Sequence, residues 1–531
     1  MSRTTTPDPA PRPAGQRLVL TAMIFAVAMM FIDQTIVALA VPSLQDDLSL
    51  SSTGAQWIIN GYLLSLAALF TLGGKLADVL GHRRMLTIGV AGFAVCSALC
   101  GATPTGQYGE AWMITFRVAQ GAFAALLFPA ALAIVIAAFP LRERGRALAL
   151  FFGITGGLTA IGPLAGGYLT EWTWRAIFWI NIPVAIVALI LTAKAKPAQA
   201  RQSGPIDYRG AVLISAAMGL VVLGLQQSAV WGWNDGRTIG CIVVGALLLA
   251  GFVAYELRQA KPLIQLRIFA QRAFAVDNVI LLLMSAVFVP FFFFASVYAQ
   301  ASLGYSATEA GLLLLVFFGG FATAAQWGGR ILDRRGARPA IVLGCLLSAA
   351  GFYLWGRQLP SLDFSQQWFS IALAGAGLGL VLGPVSTDAL NRAPDASYGE
   401  VTGVTQTVRN VGASLGLAIM GSLFISQNVD RVQDTLTGHG VPAAEASRIA
   451  HSVTSTGGGG AGDLGSHGGS PALLDAIHVD IAHSTQTVVW IMAGIMAAAF
   501  VVAKLWLPKG RIEAPTEDEP TAPEPATLTH A

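Results

Sequence analysis

Charge is what this sequence lacks most. Of its 531 residues only 11% are Asp, Glu, Lys or Arg, against roughly 25% in a soluble globular chain. Such a deficit excludes a surface wrapped wholly in water. Cysteine is scarce as well. Cys96, Cys100, Cys241 and Cys345 each fall in or at the end of an apolar run, which excludes a disulfide framework or a thiolate metal site and leaves small core residues. No G-x-x-x-x-G-K-[ST] loop is present, which excludes energy from ATP bound by this chain. Neither a catalytic triad nor a metal-ligand cluster stands out, and His439, His451, His467, His478 and His483 are scattered through one polar stretch. The chain is therefore expected to be no enzyme, to hold no metal and no organic cofactor, and, with a net charge of only +3, to bind no nucleic acid.

What is present is apolar length. Hydrophobic residues make up 54% and the mean hydropathy is +0.63. A helix needs roughly 20 apolar residues to cross a bilayer. Fourteen runs qualify, near 18–41, 54–74, 85–102, 112–139, 147–169, 174–193, 209–229, 237–257, 273–299, 308–328, 338–356, 367–390, 403–426 and 486–507. The expected fold is an all-α integral membrane protein of 14 transmembrane helices, with the fourth span bent at Pro129. Basic residues test the count, because inner loops collect Lys and Arg. With the N-terminus inside, 25 of the 32 Lys and Arg fall on the inner side, and the alternation holds to the last helix. Both termini are thus expected in the cytoplasm, the chain in the cell membrane, and no signal peptide is expected because no small-residue cleavage site follows the first run. The N-terminal tail 1–17 and the acidic Pro-rich tail 508–531 read as disordered, and an outer loop 427–485 contains the Gly-rich linker "STGGGGAGDLGSHGGS".

The chain repeats itself. "GGKLADVLGHRR" at 73–84 and "GGRILDRRGARP" at 328–339 share spacing, and each follows the second span of a six-span unit. Asp78 matches Asp333, Gly81 matches Gly336 and Arg83 matches Arg338. Glycines at these points suit tight turns between helices, and an Asp beside them suits a helix terminus or an Arg. The spans then group as six, two and six: a bundle at 18–193, an inserted segment at 194–272 and a bundle at 273–507, as transporter repeats do.

Asp33 lies inside the apolar run "AMIFAVAMMFIDQTIVALAVP". A charge at that depth is costly unless paired or facing water. Met29 and Val37, one turn away on either side, give it no polar help, so its partner must come from another helix. Arg117 in the fourth span falls at a similar depth. A competition between desolvation and a nearby cation suits a proton carrier; the plainer alternative is a static ion pair. Asp277, Asp388 and Arg409 fall near inner ends, where an inner gate and interfacial charges reaching headgroup water are both open readings; Glu256, at the end of its span, suits the second. Gln406 and Asn410 are one turn apart. The run "FVPFFFFASVY" at 288–298, and Trp57 and Tyr62 in the second span, suit aromatic substrate contacts or a lipid-facing belt.

Five stretches together resemble the major facilitator superfamily, and within it the fourteen-span drug:proton antiporters: "FIDQTIVALAVP", "GGKLADVLGHRR" with Gly74 and Arg84, "FRVAQGAFAA" with Arg117, Gln120 and Gly121, "GLTAIGPLAGGYL" with Gly162, Pro163, Gly166 and Gly167, and "WRAIFWINIPV". The resemblance implies two bundles rocking about a central cavity, with Asp33 and Arg117 handling the proton and Gln34, Trp57, Gln120, Phe291, Phe294, Gln406 and Asn410 as candidate cavity residues. The Gly-Pro stretch in the fifth span implies a packed, kinked hinge. The implied function is export of amphipathic drugs, antibiotics or toxic compounds in exchange for protons across the plasma membrane, without an obligate protein partner. Alternatives are a dedicated exporter of an endogenous secondary metabolite or lipid-like molecule, and a sensor that uses the fold without flux.

Overall fold

The structure, a computed structural model, describes residues 13–48, 50, 52–159, 161–197, 207–259, 262–392, 398–455 and 471–510. A bilayer offers the backbone no water to bond, so a chain this apolar must close its hydrogen bonds within helices. The first half comprises α1 (Pro13–Leu48), α2 (Ser52–Leu80), α3 (His82–Gly101), α4 (Gly109–Ala138), α5 (Leu141–Thr159), α6 (Ile161–Trp172), α7 (Ala176–Trp179) and α8 (Asn181–Ala195). A pair follows, α9 (Tyr208–Trp231) and α10 (Gly236–Glu256). The second half comprises α11 (Arg272–Ala301), α12 (Ala307–Arg335), α13 (Ala337–Gln358), α14 (Phe364–Asn391), α15 (Tyr398–Gly438), α16 (Ala443–Ser455) and α17 (Pro471–Trp506).

Among the described residues 13 helical stretches are long and apolar enough to cross a membrane. The expected fifth span, 147–169, is carried by α5 and α6, with residue 160 outside the described set. Pro163 sits in the first turn of α6, where its missing donor costs little. Polar residues mark the helix starts. Asp207 accepts from the Gly210 amide at 3.0 Å, Asp235 from the Arg237 amide at 2.7 Å, and Asp363 from the Ser365 amide at 2.9 Å. Ser306 and Glu309 form a reciprocal capping box on α12.

Several expectations need correction. Helix α1 begins at Pro13, so residues 13–17 are helical rather than tail; residues 1–12 and 511–531 lie outside the described set. The expected loop at 427–485 is largely helical where described. Helix α15 runs to Gly438, α16 covers Ala443–Ser455 and α17 starts at Pro471, while residues 456–470 of the Gly-rich stretch lie outside the described set. Glu256 does not reach headgroup water. It is 2% exposed, and one of its oxygens accepts from the Leu263 amide at 2.8 Å, which ties the end of α10 to the segment that follows.

The repeat read from sequence is visible as matched packing. In the first half α2 lies on α4 and α1 on α5; in the second, α12 lies on α14 and α11 on α15. Glycine against backbone makes three of these contacts, α2 on α4, α12 on α14 and α11 on α15. A Cβ on Gly73 would stand 2.1 Å from the Ala125 carbonyl oxygen, and one on Gly121 would stand 2.3 Å from that of Tyr62. In the second half a Cβ on Gly375 would stand 2.1 Å from the Phe317 carbonyl oxygen, and one on Gly416 would stand 2.1 Å from that of Ala286. Without a water-driven force between helices, such close approach is what holds a bundle together. Gly375→Ala is therefore expected to destabilise the protein by about 1–3 kcal/mol, read as a lower unfolding midpoint in detergent, because neither partner backbone can rotate away.

The two matched turns use glycine for its dihedrals. Gly81 joins α2 to α3 at φ 99°, and Gly336 joins α12 to α13 at φ 85°, conformations that a Cβ penalises. The halves meet where α5 packs on α12 and α14, and where α2 packs on α15. Thr71 and Thr407 share a hydrogen bond of 2.9 Å across the second contact. Helix α9 packs on both α2 and α15, so it touches both halves; α10 packs on α9.

Candidate functional site

The middle of α1 is polar for three residues only, Asp33, Gln34 and Thr35. Successive helix positions point about 100° apart, and the structure uses that rotation. Asp33 turns into the first bundle and is 0% exposed, whereas Gln34 and Thr35 line a cavity between the halves.

Four other helices supply the surroundings of Asp33. Arg117 and Gln120 on α4 are one turn apart and so share a face. The Arg117 Nη1 donates to Asp33 Oδ2 at 2.5 Å and to Gln120 Oε1 at 2.8 Å, while its Nε donates to the Ile58 carbonyl at 2.9 Å. The second carboxylate oxygen accepts from Gln120 Nε2 at 3.0 Å and from Asn181 Nδ2 at 3.3 Å. Asn181, at the start of α8, also donates to Ser97 Oγ at 2.9 Å. The Tyr62 ring lies 4.4 Å from the guanidinium carbon. A buried charge is tolerable when it is paired and hydrogen-bonded, and both oxygens of Asp33 meet that condition. The Tyr62 hydroxyl stands close to Gln34 yet is buried with no hydrogen-bond partner. It is thus the group between the acid cluster and the cavity wall.

The cavity itself holds about 330 Å³ and is lined by α1, α2 and α4 of the first half and α11, α12 and α15 of the second. Its walls are mainly aromatic and aliphatic, with Gln34, Gln406, Arg409 and Asn410 among its polar groups. Four sequence candidates are elsewhere. Gln120 belongs to the acid cluster. Trp57 is half-buried on α2, away from the cavity lining. Phe291 is sealed inside the second bundle, stacked on Phe317 at 4.1 Å, and Phe294 packs on Phe424 at 5.5 Å. The helical period turns Phe288 and Phe292, one turn apart, and Phe293 onto the cavity instead.

The three inner-gate candidates also divide. Asp277 and Asp388 are neighbours and both are buried, rather than reaching headgroup water. Asp388 pairs with Arg392 at 2.6 Å, and both Asp277 oxygens are buried without a hydrogen-bond partner. Arg409 is not with them. It lines the cavity, where its Nη1 donates to Gln406 Oε1 at 3.0 Å.

Of the two repeated stretches, the second reaches the other half through Asp333. Asp78 is 2% exposed and bonds His82 Nε2 at 3.0 Å; Gly74 is buried, Arg83 half-buried and Arg84 exposed. Asp333 lies against the first turns of α5, where a Cβ on Gly145 would stand 2.4 Å from its Oδ1, a position that suits a carboxylate. Arg338 donates to the Lys504 carbonyl at the end of α17. In α6, Gly162 presses on α1: a Cβ there would stand 1.9 Å from Thr35 Oγ1 and 3.1 Å from the Ile36 nitrogen. Gly166 is buried, and the surroundings of Pro163 and Gly167 lie outside the described residues. Gly162→Ala is expected to displace the polar turn of α1 and to destabilise the protein by about 1–3 kcal/mol, measured as a lower unfolding midpoint in detergent.

Sequence reasoning missed Asn181 and Ser97. Asn181 stood in the quoted "WRAIFWINIPV" and its amide in an apolar setting was a usable signal; Ser97 offered none.

Comparison with known proteins bears on this arrangement. The sequence matches the family profile of the Major Facilitator Superfamily over residues 23–417. It is 37% identical over 424 residues to the tetracenomycin C resistance and export protein of Streptomyces glaucescens, covering 78% of this chain and 77% of that protein. It is 32% identical over 457 residues to a puromycin resistance protein of Streptomyces alboniger, covering 84% and 88%. In fold it is similar to the proton:xylose symporter XylE, with a TM-score of 0.60 at 12% identity over 94% of this chain and 97% of that one. A bacterial homologue of the human lysosomal transporter Spinster gives 0.56 at 17% identity, covering 94% and 98%. Two bundles of matched packing, a cavity between them and a profile match across both halves have one reading: this membrane-embedded chain belongs to the Major Facilitator Superfamily.

Proposed function

We propose that the chain exports amphipathic drugs, antibiotics or other toxic compounds from the cell by alternating access, driven by the proton gradient. The observation that carries this reading is the buried Asp33–Arg117 pair set one layer behind the wall of an inter-bundle cavity. A buried ion pair is a poor way to gain stability, and its place beside the cavity gives it a use. With Asp33 ionised the cluster is locked. A proton entering past Gln34 and Tyr62 neutralises the carboxylate, weakens its bond to Arg117 and frees α1 to move against α6 at the Thr35–Gly162 contact. Substrate release and proton uptake then share one helix. The termini lie in the cytoplasm in this scheme, as the inner clustering of Lys and Arg supports. No organic cofactor takes part.

A second reading, a dedicated exporter of one endogenous metabolite, is favoured by the name of the Streptomyces glaucescens relative, which joins resistance with export of a single compound. Uptake of a fluorescent aromatic substrate into energised everted vesicles tests the main reading. Accumulation that collapses with a protonophore is expected, and accumulation indifferent to it overturns proton coupling. A growth-inhibition panel separates the two readings, since protection against many unrelated toxins favours the first.

A further inference from the structure

We propose that the cavity selects acidic aromatic compounds, present as carboxylates, phenolates or enolates, and that Arg409 is the residue that selects them. The assignment deepens the export reading and rests on it for the direction of transport alone. Arg409 is the one side chain among the described cavity residues that carries a formal charge, and no Asp or Glu is among them. Its Nε is buried with no hydrogen-bond partner. Two more buried polar atoms on the same wall, Asn410 Nδ2 and Ser285 Oγ, are also without partners. Helices α15 and α11 thus carry three unused donors on residues that line one space. Leaving buried donors unsatisfied is unfavourable, and an anionic oxygen cluster would satisfy them with charge-assisted bonds.

The remaining surface sets the rest of the ligand. Phe31, Phe70, Phe128, Phe288, Phe292 and Phe318 line the same cavity, which suits a planar ring system. The nearest acid in the first bundle, Asp33, is neutralised by Arg117 behind the wall, so it offers no counter-charge to a cation. An ammonium in this cavity would face Arg409 at low effective dielectric, where like charges repel strongly.

The experiment uses a matched pair, 9-anthracenecarboxylate and 9-(aminomethyl)anthracene, which share the ring and differ in charge. Binding to the purified full chain in phosphatidylcholine nanodiscs is read by anthracene fluorescence, with empty nanodiscs subtracted. The carboxylate is expected to bind at least about tenfold more tightly than the amine, in line with one charge-assisted bond. Arg409→Gln is expected to remove that gap, and Arg409→Lys to retain part of it. Equal binding in the native chain, or a gap that persists in Arg409→Gln, overturns the assignment; the native ratio decides even where the variant misfolds. Efflux of both probes from energised vesicles keeps the two proposals apart. Carboxylate preference in binding without any efflux overturns export and leaves the assignment standing. Efflux of both probes without preference in binding does the reverse.

Discussion

Gradient-driven export is expected to vanish in Asp33→Asn. The substitution keeps the side-chain shape but removes the carboxylate proposed to take up and release the proton. It also strands Arg117, which is 1% exposed and whose Nη1 contacts Asp33 at 2.5 Å. Breaking a buried pair on one side costs about 3–5 kcal/mol, so loss of transport alone would not separate coupling from folding. The double variant Asp33→Asn/Arg117→Gln does. It restores a neutral cluster in which Gln120 and Asn181 can still bond the amide. The unfolding midpoint is expected to recover towards that of the native chain while protonophore-sensitive efflux stays absent and downhill exchange persists. If the double variant regains gradient-driven export, the pair is a structural tie and the proton binds elsewhere.

Gly145→Val is expected to cut export at least about tenfold while changing the unfolding midpoint far less than Gly375→Ala. Both glycines are sites of close approach, but they join different things. Gly375 sits inside the second bundle. Gly145 sits on the seam, where an added Cβ would stand 2.4 Å from Asp333 Oδ1 and 2.8 Å from Leu332 Cδ2, and where Gly329 faces the Gly145 carbonyl. A branched side chain forces α5 and α12 apart. At about 1.4 kcal/mol per tenfold, an overpacking cost of about 1–3 kcal/mol shifts the balance of states by roughly one to two orders of magnitude. Hydrogen exchange reads the change directly, as faster exchange of amides in 141–153 and 325–335. Unchanged exchange with normal export would show that the seam is not part of the cycle.

The architecture was largely legible in the sequence because a bilayer restricts the answer. Apolar runs of spanning length can only be helices, and the alternation of basic turns tests their number. The repeated Gly-Asp-Gly stretches announced turns whose positive φ at Gly81 and Gly336 only glycine accepts readily. The Asp33–Arg117 contact followed from cost, since a lone carboxylate at that depth needs a partner. Which way a side chain faces was less legible. Hydropathy does not distinguish lipid from bundle interior, so Phe291 and Phe294 could not be told from Phe288 and Phe292 by type. Arg409 was grouped with Asp277 and Asp388 by its distance from a helix end, while its rotation about α15 carried it to the cavity. The helices within 427–485 were hidden by a polar, Gly-rich composition that resembles a linker.

Helix α9 touches α2 of one half and α15 of the other, and α10 rides on its outer side. Within α10 only Thr238, Gly245, Phe252 and Glu256 are fully buried, so much of its surface faces acyl chains. The halves therefore cannot tilt as two independent rafts. Each stroke must drag a third, lipid-coated paddle sideways through the surrounding fluid. Turnover should accordingly carry a frictional signature of its solvent, slowing as acyl chains stiffen or lateral pressure rises, even when nothing at the binding cavity has changed.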